Sequence, residues 1–262
     1  KKSPAKARSA AGEEAPAKKR PWYGAFLPCK GDGGGGIGRK MILIVLILVF
    51  LCSAGYLVYY KWDSYHNAQL SHGVESLYHL GEEGEVDTSN LPDGWLAKFA
   101  ALYEINPDIR GWLSIDGTQL SYPVVQTTDN DFYHRRNFYK ESNNHGVPYI
   151  DYLCDVQKPS DNIIIYGHNM RDGQMFGELI NYENLAYYKE HPVISFDSVY
   201  EENDYKIVSV FITNVYERDG PVFHYIDFID AASEADYNEF INQVKIRSLI
   251  NTGVDAVYGD KL

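Results

Sequence analysis

The stretch NIIIYGHNM, residues 162–170, combines the two features on which the interpretation of this sequence depends. It begins with three consecutive isoleucines, and a run of β-branched residues is typical of a buried strand. It ends with a glycine, a histidine and an asparagine. A histidine at a strand end is a candidate for proton transfer, but it needs a second group to do chemistry. His168 is therefore a candidate catalytic residue whose partner must be found elsewhere in the chain.

Cys154 is the only cysteine after residue 60, and a cysteine–histidine enzyme needs the thiolate within hydrogen-bond reach of the imidazole. Symmetric pairing across the short turn between the two residues predicts a hairpin with Cys154 opposite about Ile163 and His168 opposite about Tyr149. Five strand residues at about 3.3 Å each would separate the thiol from the imidazole by about 16 Å. Cys154 is thus not expected to be the nucleophile. A serine or threonine stays open as the partner, although the chain has no G-x-S-x-G elbow.

Short strands with few helices dominate the rest of the pattern. A short helix is predicted up to about Tyr103, then a turn at Asn106-Pro107 and a strand that begins near Gly111. A helix is predicted over residues 233–250, with Ser233 as its N-cap. Further strands are predicted at 122–126, 147–154, 162–167, 193–196, 204–215 and 254–258. This pattern favours a β-sandwich or a closed β-barrel.

Residues 41–60, MILIVLILVFLCSAGYLVYY, contain no charged side chain. An α-helix of this length spans about 30 Å, the thickness of the hydrocarbon core of a bilayer. The sequence therefore predicts an uncleaved N-terminal transmembrane helix. A buried core helix is the first alternative, but this segment has no polar face. A cleaved signal peptide is the second, but the apolar run continues past the small residues 53–55.

Charge is divided unevenly on the two sides of this segment. Residues 1–40 carry ten Lys and Arg against three acidic residues, about +7, whereas residues 61–262 carry 14 against 33, about −19. Because the basic flank of a membrane helix stays in the cytoplasm, we expect the N-terminus inside the cell and the acidic part outside. Nucleic-acid binding is disfavoured, since the basic residues are concentrated in this flank.

The composition divides the chain into four segments. Residues 1–40 are predicted to be a disordered basic tail, 41–60 the transmembrane helix, 61–95 a helical stalk and linker, and 96–262 the outer domain. Three stalk histidines are six and seven residues apart, not the four that places two ligands on one helix face, and no metal or cofactor is predicted. The three cysteines fall in three different compartments, so no disulfide is predicted within the chain.

Three motifs carry a resemblance to a known family. They are INPDIRGWLSIDGTQLSYPVVQ at 105–126, DNDFYHRRNF at 129–138 and NIIIYGHNM at 162–170. In order and spacing they resemble the class B sortases of Gram-positive bacteria, and the resemblance covers about residues 96–262. It implies a mostly β fold, a sortase-type closed β-barrel with peripheral helices, preceded by a membrane anchor.

The resemblance also implies an activity. Sortases are cysteine transpeptidases that cleave a C-terminal sorting signal of a secreted protein, here of the Asn-Pro-x-Thr type, and join it to a cell-wall or pilin amine through a thioacyl intermediate. His168 matches the histidine that carries the proton in this family. Asn130, Tyr166, Tyr225 and Ile226 match positions that line the substrate groove. No cofactor is implied.

Two features depart from the family pattern. His134 stands where a leucine is common. The cysteine that closes a T-L-[ST]-x-C strand motif, and the arginine on the next strand, would both lie beyond Leu262. We therefore expect the chain as written to be truncated and inactive. The alternative is an outward-facing peptide-binding domain that keeps the fold without the chemistry.

Overall fold

The computed structural model describes residues 23, 26–29, 33–82, 86–214 and 222–262. Most of the predicted tail and part of the predicted linker lie outside this range. The chain divides into two compact units, Lys1–Trp62 and Asp63–Leu262.

Helix α1 runs without interruption from Gly34 to Glu82 and contributes to both units. In its N-terminal part the most apolar window of 18 residues has a mean hydropathy of 2.9 and none of it is buried. The helix is thus long and apolar enough to cross a membrane. It begins before the predicted apolar segment and continues through the predicted stalk.

In its described residues the second unit contains three further α-helices, four short 3₁₀ helices and six strands. The α-helices are α2 (Ala100–Ile105), α3 (Leu185–Glu190) and α4 (Glu234–Ile246). The 3₁₀ helices are Ala97–Phe99, Phe132–Arg135, Gly177–Glu183 and Tyr225–Asp227. The strands are β1 (Ile109–Ser114), β2 (Ser121–Val125), β3 (Tyr149–Ile150), β4 (Ile165–Tyr166), β5 (Val193–Ser198) and β6 (Glu202–Lys206).

The six strands form one sheet in the order β4-β3-β2-β1-β5-β6. Neighbouring strands are antiparallel except β2 and β3, which pair in parallel through Val125 and Tyr149. Within the described residues β4 and β6 are the outer strands, so the sheet forms half of a barrel, with helices at its periphery. The predicted fold class, mostly β with peripheral helices and one long N-terminal apolar helix, is confirmed.

Gly111 explains why β1 can lie so close to β5. A Cβ at this position would be 2.5 Å from the Phe196 ring and 2.6 Å from the Asp197 carbonyl oxygen. Any side chain larger than hydrogen would therefore push the two strands apart. The glycine of the Gly-Trp pair in the first motif is a packing requirement of the sheet.

The C-terminal part of α1 packs in the second unit. Val74 and Tyr78 are buried, and the Tyr78 ring stacks on Trp112 with centroids 4.4 Å apart and planes 11° apart. The Tyr78 hydroxyl donates to Asp197 Oδ2 at 2.5 Å. Residues of the predicted stalk thus contribute to a hydrophobic core. The spacing of apolar residues along the helix did not reveal what this helix face contacts.

Two local signals are confirmed. Asn106 ends α2 and is fully buried, and its side-chain amide donates to the Tyr133 hydroxyl and the Phe138 carbonyl, both at 2.8 Å. Ser233 precedes α4, and its hydroxyl accepts a hydrogen bond from the Asp236 backbone NH at 3.3 Å. The Asn106 side-chain oxygen also accepts from the Asp108 NH at 3.0 Å, so both residues bond a backbone NH two or three residues ahead, which explains why short motifs predicted them.

Four predicted strands are wrong over most of their length. Those expected at 147–154 and 162–167 keep only β3 (Tyr149–Ile150) and β4 (Ile165–Tyr166). The strand expected at 204–215 ends at Lys206 as β6, because the segment after it bonds to the end of α4 and the loop beyond. The Ser209 hydroxyl donates to the Val244 carbonyl, and the Leu249 NH donates to the Val210 carbonyl. The predicted strand at 254–258 is replaced by a turn with one isolated pairing between Tyr258 and Asp260. The predicted helix 233–250 ends at Ile246.

Candidate active site

His168 follows β4, where the isoleucine run ends. Its carbonyl oxygen accepts a hydrogen bond of 2.9 Å from the Phe176 NH, which closes the loop after the strand. Gly167 makes this closure possible, since a Cβ there would lie 2.6 Å from the Phe176 ring. The loop fixes the backbone that carries the half-buried imidazole. Position 167 therefore requires glycine, because a side chain there would collide with Phe176.

Positively charged or chargeable groups surround the His168 ring. The His134 ring lies with its centroid 4.4 Å from that of His168 and its plane tilted by 38°. Burial lowers the pKa of His168 from its ordinary value, and His134, Arg135 and His145 lower it further by charge repulsion. The environment therefore favours the neutral imidazole, the form that accepts a proton.

Asn130 and Tyr166 meet at one carboxylate. The Asn130 side-chain amide donates to Asp151 Oδ2 at 2.9 Å, and the Tyr166 hydroxyl donates to the same oxygen at 2.8 Å. The Asn130 carbonyl oxygen also accepts from the Tyr152 NH at 3.0 Å. Burial raises the pKa of Tyr166, and the adjacent Asp151 raises it further. The phenol therefore remains a hydrogen-bond donor at neutral pH.

Tyr225 and Ile226 lie on the 3₁₀ helix Tyr225–Asp227. The Tyr225 ring contacts Phe211, with centroids 5.6 Å apart at an interplanar angle of 87°. Ile226 is 39% exposed, an apolar side chain facing solvent. Of the predicted residues, Asn130 and Tyr166 are joined through Asp151, whereas Tyr225 and Ile226 lie on a separate 3₁₀ helix.

Cys154 is occupied by the backbone of the neighbouring strand segment. Its thiol donates to the Asn162 carbonyl and accepts from the Ile164 NH, both at 3.4 Å. Burial raises the pKa of this thiol, which opposes thiolate formation. The predicted hairpin register is wrong by two residues, because Tyr149 pairs with Tyr166 and not with His168. The turn takes more residues on one side than symmetric pairing assumes.

Sequence reasoning missed the two groups that organise this corner of the sheet. Asp151 joins Asn130 to Tyr166, and its only sequence signal is a charged residue at the end of the buried run VPYID. His145 is 2% exposed and its Nε2 lies 3.1 Å from Asp172 Oδ2. No local pattern marks this pair, since it joins two loops 27 residues apart. In the described part of the chain, no group of three or more His, Cys, Asp or Glu could hold a metal ion.

Known proteins with the same arrangement identify the fold. No family model matches the sequence. Sortase B of Listeria monocytogenes is 28% identical over 226 residues, which are 86% of this chain and 87% of that protein. Sortase B from Bacillus anthracis superposes with a TM-score of 0.65 at 31% identity, covering 75% of this chain and 87% of that chain. A Staphylococcus aureus sortase B–substrate complex gives a TM-score of 0.65 at 26% identity, covering 75% and 85%.

These likenesses define a sortase-type fold. The chain belongs to the class B sortases, a family of cysteine transpeptidases.

Proposed function

We propose that this chain is the membrane-anchored domain of a sortase that cleaves an Asn-Pro-x-Thr-type sorting signal. The observation that carries the proposal is the meeting of separate chain segments at the end of β4. Asn130 and Tyr166 share one oxygen of Asp151, and His168 follows Tyr166 by two residues. The hydrogen-bonded pair and the proposed proton carrier therefore meet at one strand end.

The substrate in this proposal is an extended peptide that lies beside β4. Asn130 and Tyr166 would form its polar wall, and Tyr225 and Ile226 the opposite, more apolar wall. Asp151 supports this arrangement, because it fixes the orientation of the Asn130 amide and the Tyr166 phenol before any ligand arrives. Pre-organised donors cost less free energy on binding than mobile ones.

The nucleophile is proposed to lie on a strand that continues from Leu262. The Leu262 NH donates to the Asp161 carbonyl and the Ile163 NH donates to the Leu262 carbonyl, both at 2.8 Å. This is the pairing of two parallel strands, with Leu262 level with Asn162. Each further residue in this register advances one position toward His168, so a cysteine about six residues beyond Leu262 would face the imidazole. Cys154 is a poor candidate, since its thiol is buried.

The reaction then follows from these positions. The cysteine thiolate attacks the threonine carbonyl, and an arginine stabilises the oxyanion, as the family resemblance implies. The carbon–nitrogen bond breaks, and His168 gives its proton to the leaving amine. An incoming amine attacks the thioester, His168 takes the proton from that amine, and the thiolate is released. Because its surroundings favour the neutral ring, His168 is suited to the second proton transfer.

The location and partners belong to the same proposal. The apolar part of α1 would cross the cell membrane once, with the basic tail in the cytoplasm and residues 61–262 outside. The outer acidic unit would then meet secreted proteins that bear a C-terminal sorting signal. The acceptor would be a peptidoglycan or pilin amine. The lipid bilayer is the third partner, through α1.

Peptide cleavage by two chain lengths tests the proposal. The 262-residue chain and the same chain extended by the residues that its gene encodes next are incubated with an Asn-Pro-x-Thr peptide, with mass spectrometry for the thioacyl adduct. We expect cleavage and adduct from the extended chain only. His168→Ala in the extended chain should lower the rate at least about a hundredfold, the usual scale for positioned proton transfer.

Cys154→Ala is the matched control, because its thiol is buried against the backbone, and this variant should keep most of the activity. Equal cleavage by the two lengths would overturn the proposed nucleophile. If the extended chain binds the peptide without cleaving it, the alternative holds: a catalytically inactive, outward-facing peptide-binding domain. The specific observation that favours this alternative is the burial of Cys154, the only cysteine of the second unit.

A further inference from the structure

We propose that His134 is a positioning residue for His168, and that the two imidazoles act as a pair in which charge on one ring opposes protonation of the other. This inference rests on the proposed role of His168 as the proton carrier. The pair is defined by contact: the ring centroids are 4.4 Å apart, with the planes tilted by 38°. At this separation the rings touch, so His134 restricts the orientations open to His168.

The backbone that carries His134 is held from both sides. The Asp129 carboxylate accepts hydrogen bonds from the NH groups of Asp131 and Phe132, at 2.8 and 2.7 Å. The next residue, Tyr133, is 1% exposed and donates its hydroxyl to Asp108 at 2.7 Å. The exposed His134 side chain therefore projects from a fixed 3₁₀ helix, which gives the ring contact a defined geometry.

Tight packing of the loop that carries His145 also fixes the backbone of His134. Gly146 has φ = +66°, and a Cβ there would lie 2.8 Å from the His134 carbonyl oxygen. The loop that carries His145 thus packs directly on the backbone of His134. Both loop and 3₁₀ helix present basic groups to His168, namely His145 from the former and His134 and Arg135 from the latter.

The Asp172 carboxylate accepts hydrogen bonds from His145 Nε2 at 3.1 Å and from the Gln174 side-chain amide at 2.9 Å. It therefore offsets the charge of His145, and His134 is the ring in contact with His168. Burial lowers the pKa of His168, and the positive groups lower it further, with His134 the first of them. His134 thereby keeps His168 neutral at lower pH and extends the range in which it can accept a proton from the incoming amine.

The test is an NMR titration of the imidazoles in the full 262-residue chain in detergent micelles. In the parent chain the His168 titration should be broad, with a Hill slope below 1, because two interacting sites share the transition. His134→Gln keeps a polar side chain and removes the charge. We expect it to raise the midpoint of His168 by about 0.3–1 pH unit, the Coulomb range for a neighbouring charge about 4–5 Å away, and to sharpen the slope to 1.

His134→Lys supplies a permanent charge and should leave the midpoint low or lower it. His79→Gln is the matched control, since it removes an exposed histidine that interacts with Glu82. It should change neither the midpoint nor the Hill slope of the His168 titration. The proposed coupling between His134 and His168 would be contradicted if His134→Gln left the His168 midpoint and slope unchanged. It would also be contradicted if His134→Gln and His134→Lys shifted the midpoint equally. The titration requires no turnover, so its result is independent of whether the extended chain cleaves the peptide.

A second readout ties the pair to the reaction. In the extended chain, kcat/KM for the acceptor amine reports the step in which neutral His168 takes a proton, so the acid limb of its pH profile should move upward in His134→Gln by the same amount as the NMR midpoint. A change in KM alone, with the acid limb unmoved, would show that His134 only contacts the peptide and does not set the protonation of His168.

Discussion

Two hydrophobic clusters lie on opposite faces of β1, and the chain covers them unequally. The helix-side cluster contains Val74, Tyr78 and Trp112, and the open-side cluster contains Leu113 and Ile164. Trp112 and Leu113 are neighbours in sequence, so the strand supplies one apolar side chain to each face. What differs is the element packed above each face.

Helix α1 covers the helix-side cluster, and its polar atoms there are satisfied. The open-side cluster instead borders a cavity of about 250 Å³ between the outer strands, lined in part by Ile163, Ile165, Tyr205 and Leu262. These four side chains are only partly buried. Because free energy follows the apolar area removed from water, we expect the helix-side cluster to carry more of the stability of this chain. The open side has apolar surface still available for another strand.

Tyr78→Ala should have the largest effect on stability. It removes a 4% exposed ring that stacks on Trp112 and a hydroxyl that donates to Asp197, and leaves a cavity under α1. We expect a loss of about 3–5 kcal/mol in the free energy of unfolding. Urea unfolding of the full chain in detergent micelles, followed by tryptophan fluorescence, measures it.

Tyr65→Ala is the control for this prediction, because Tyr65 lies on the same helix and is 66% exposed. Its cost should stay below about 0.5 kcal/mol. Similar costs for the two variants would mean that α1 does not cover the helix-side cluster in solution.

Lys98→Met should have an intermediate effect that depends on pH. The Lys98 ammonium donates to Asp197 at 2.7 Å and to Glu202 at 2.6 Å. Burial opposes the charged form, but these two hydrogen bonds outweigh it, and the pKa of Lys98 is raised. At neutral pH we expect a loss of about 1–3 kcal/mol in the free energy of unfolding, since the Asp197 carboxylate loses a charged hydrogen-bond donor.

The sign of the pH dependence follows from the raised pKa. The folded state binds the proton more tightly than the unfolded state, so the stabilisation is complete below the unfolded pKa of about 10.4 and is lost as the pH rises through the folded pKa. The difference in the free energy of unfolding between the parent and Lys98→Met should therefore be constant up to about pH 9 and shrink above about pH 11. A difference that grows with pH would contradict the ion pair.

The helix-side cluster also shows which features the sequence could predict. The turn at Asn106 and the cap at Ser233 depend on hydrogen bonds to backbone NH groups two and three residues ahead, so their residue types were sufficient. The isoleucine run before His168 likewise identified a strand end. The burial of Val74 and Tyr78 could not be predicted, because the helix face matters only once β1 lies against it.

The residues of the candidate site also fall into those that the sequence could predict and those that it could not. His168, Asn130 and Tyr166 were recognised through family motifs, each within a short segment. Asp151 and the His134–His168 contact were not, because each joins segments that become neighbours only in the folded sheet. The strand expected at 204–215 failed for a related reason, since Ser248 and Leu249, just after α4, take the Val210 backbone hydrogen bonds that a sheet partner would need.

Ile163→Ala should have the smallest effect, and it separates the two clusters most directly. Ile163 is partly buried and lines the cavity, whereas its neighbour Ile164 is 8% exposed and lies within the open-side cluster. In the 262-residue chain we expect Ile163→Ala to cost less than about 1 kcal/mol and Ile164→Ala about 2–4 kcal/mol. If a strand continuing from Leu262 covers the cavity, the cost of Ile163→Ala should rise above about 2 kcal/mol in the extended chain, with Ile164→Ala nearly unchanged. Urea unfolding of both variants in both chain lengths measures this. An Ile163→Ala cost that is the same in the two lengths would mean that the continuing chain does not pack on this face.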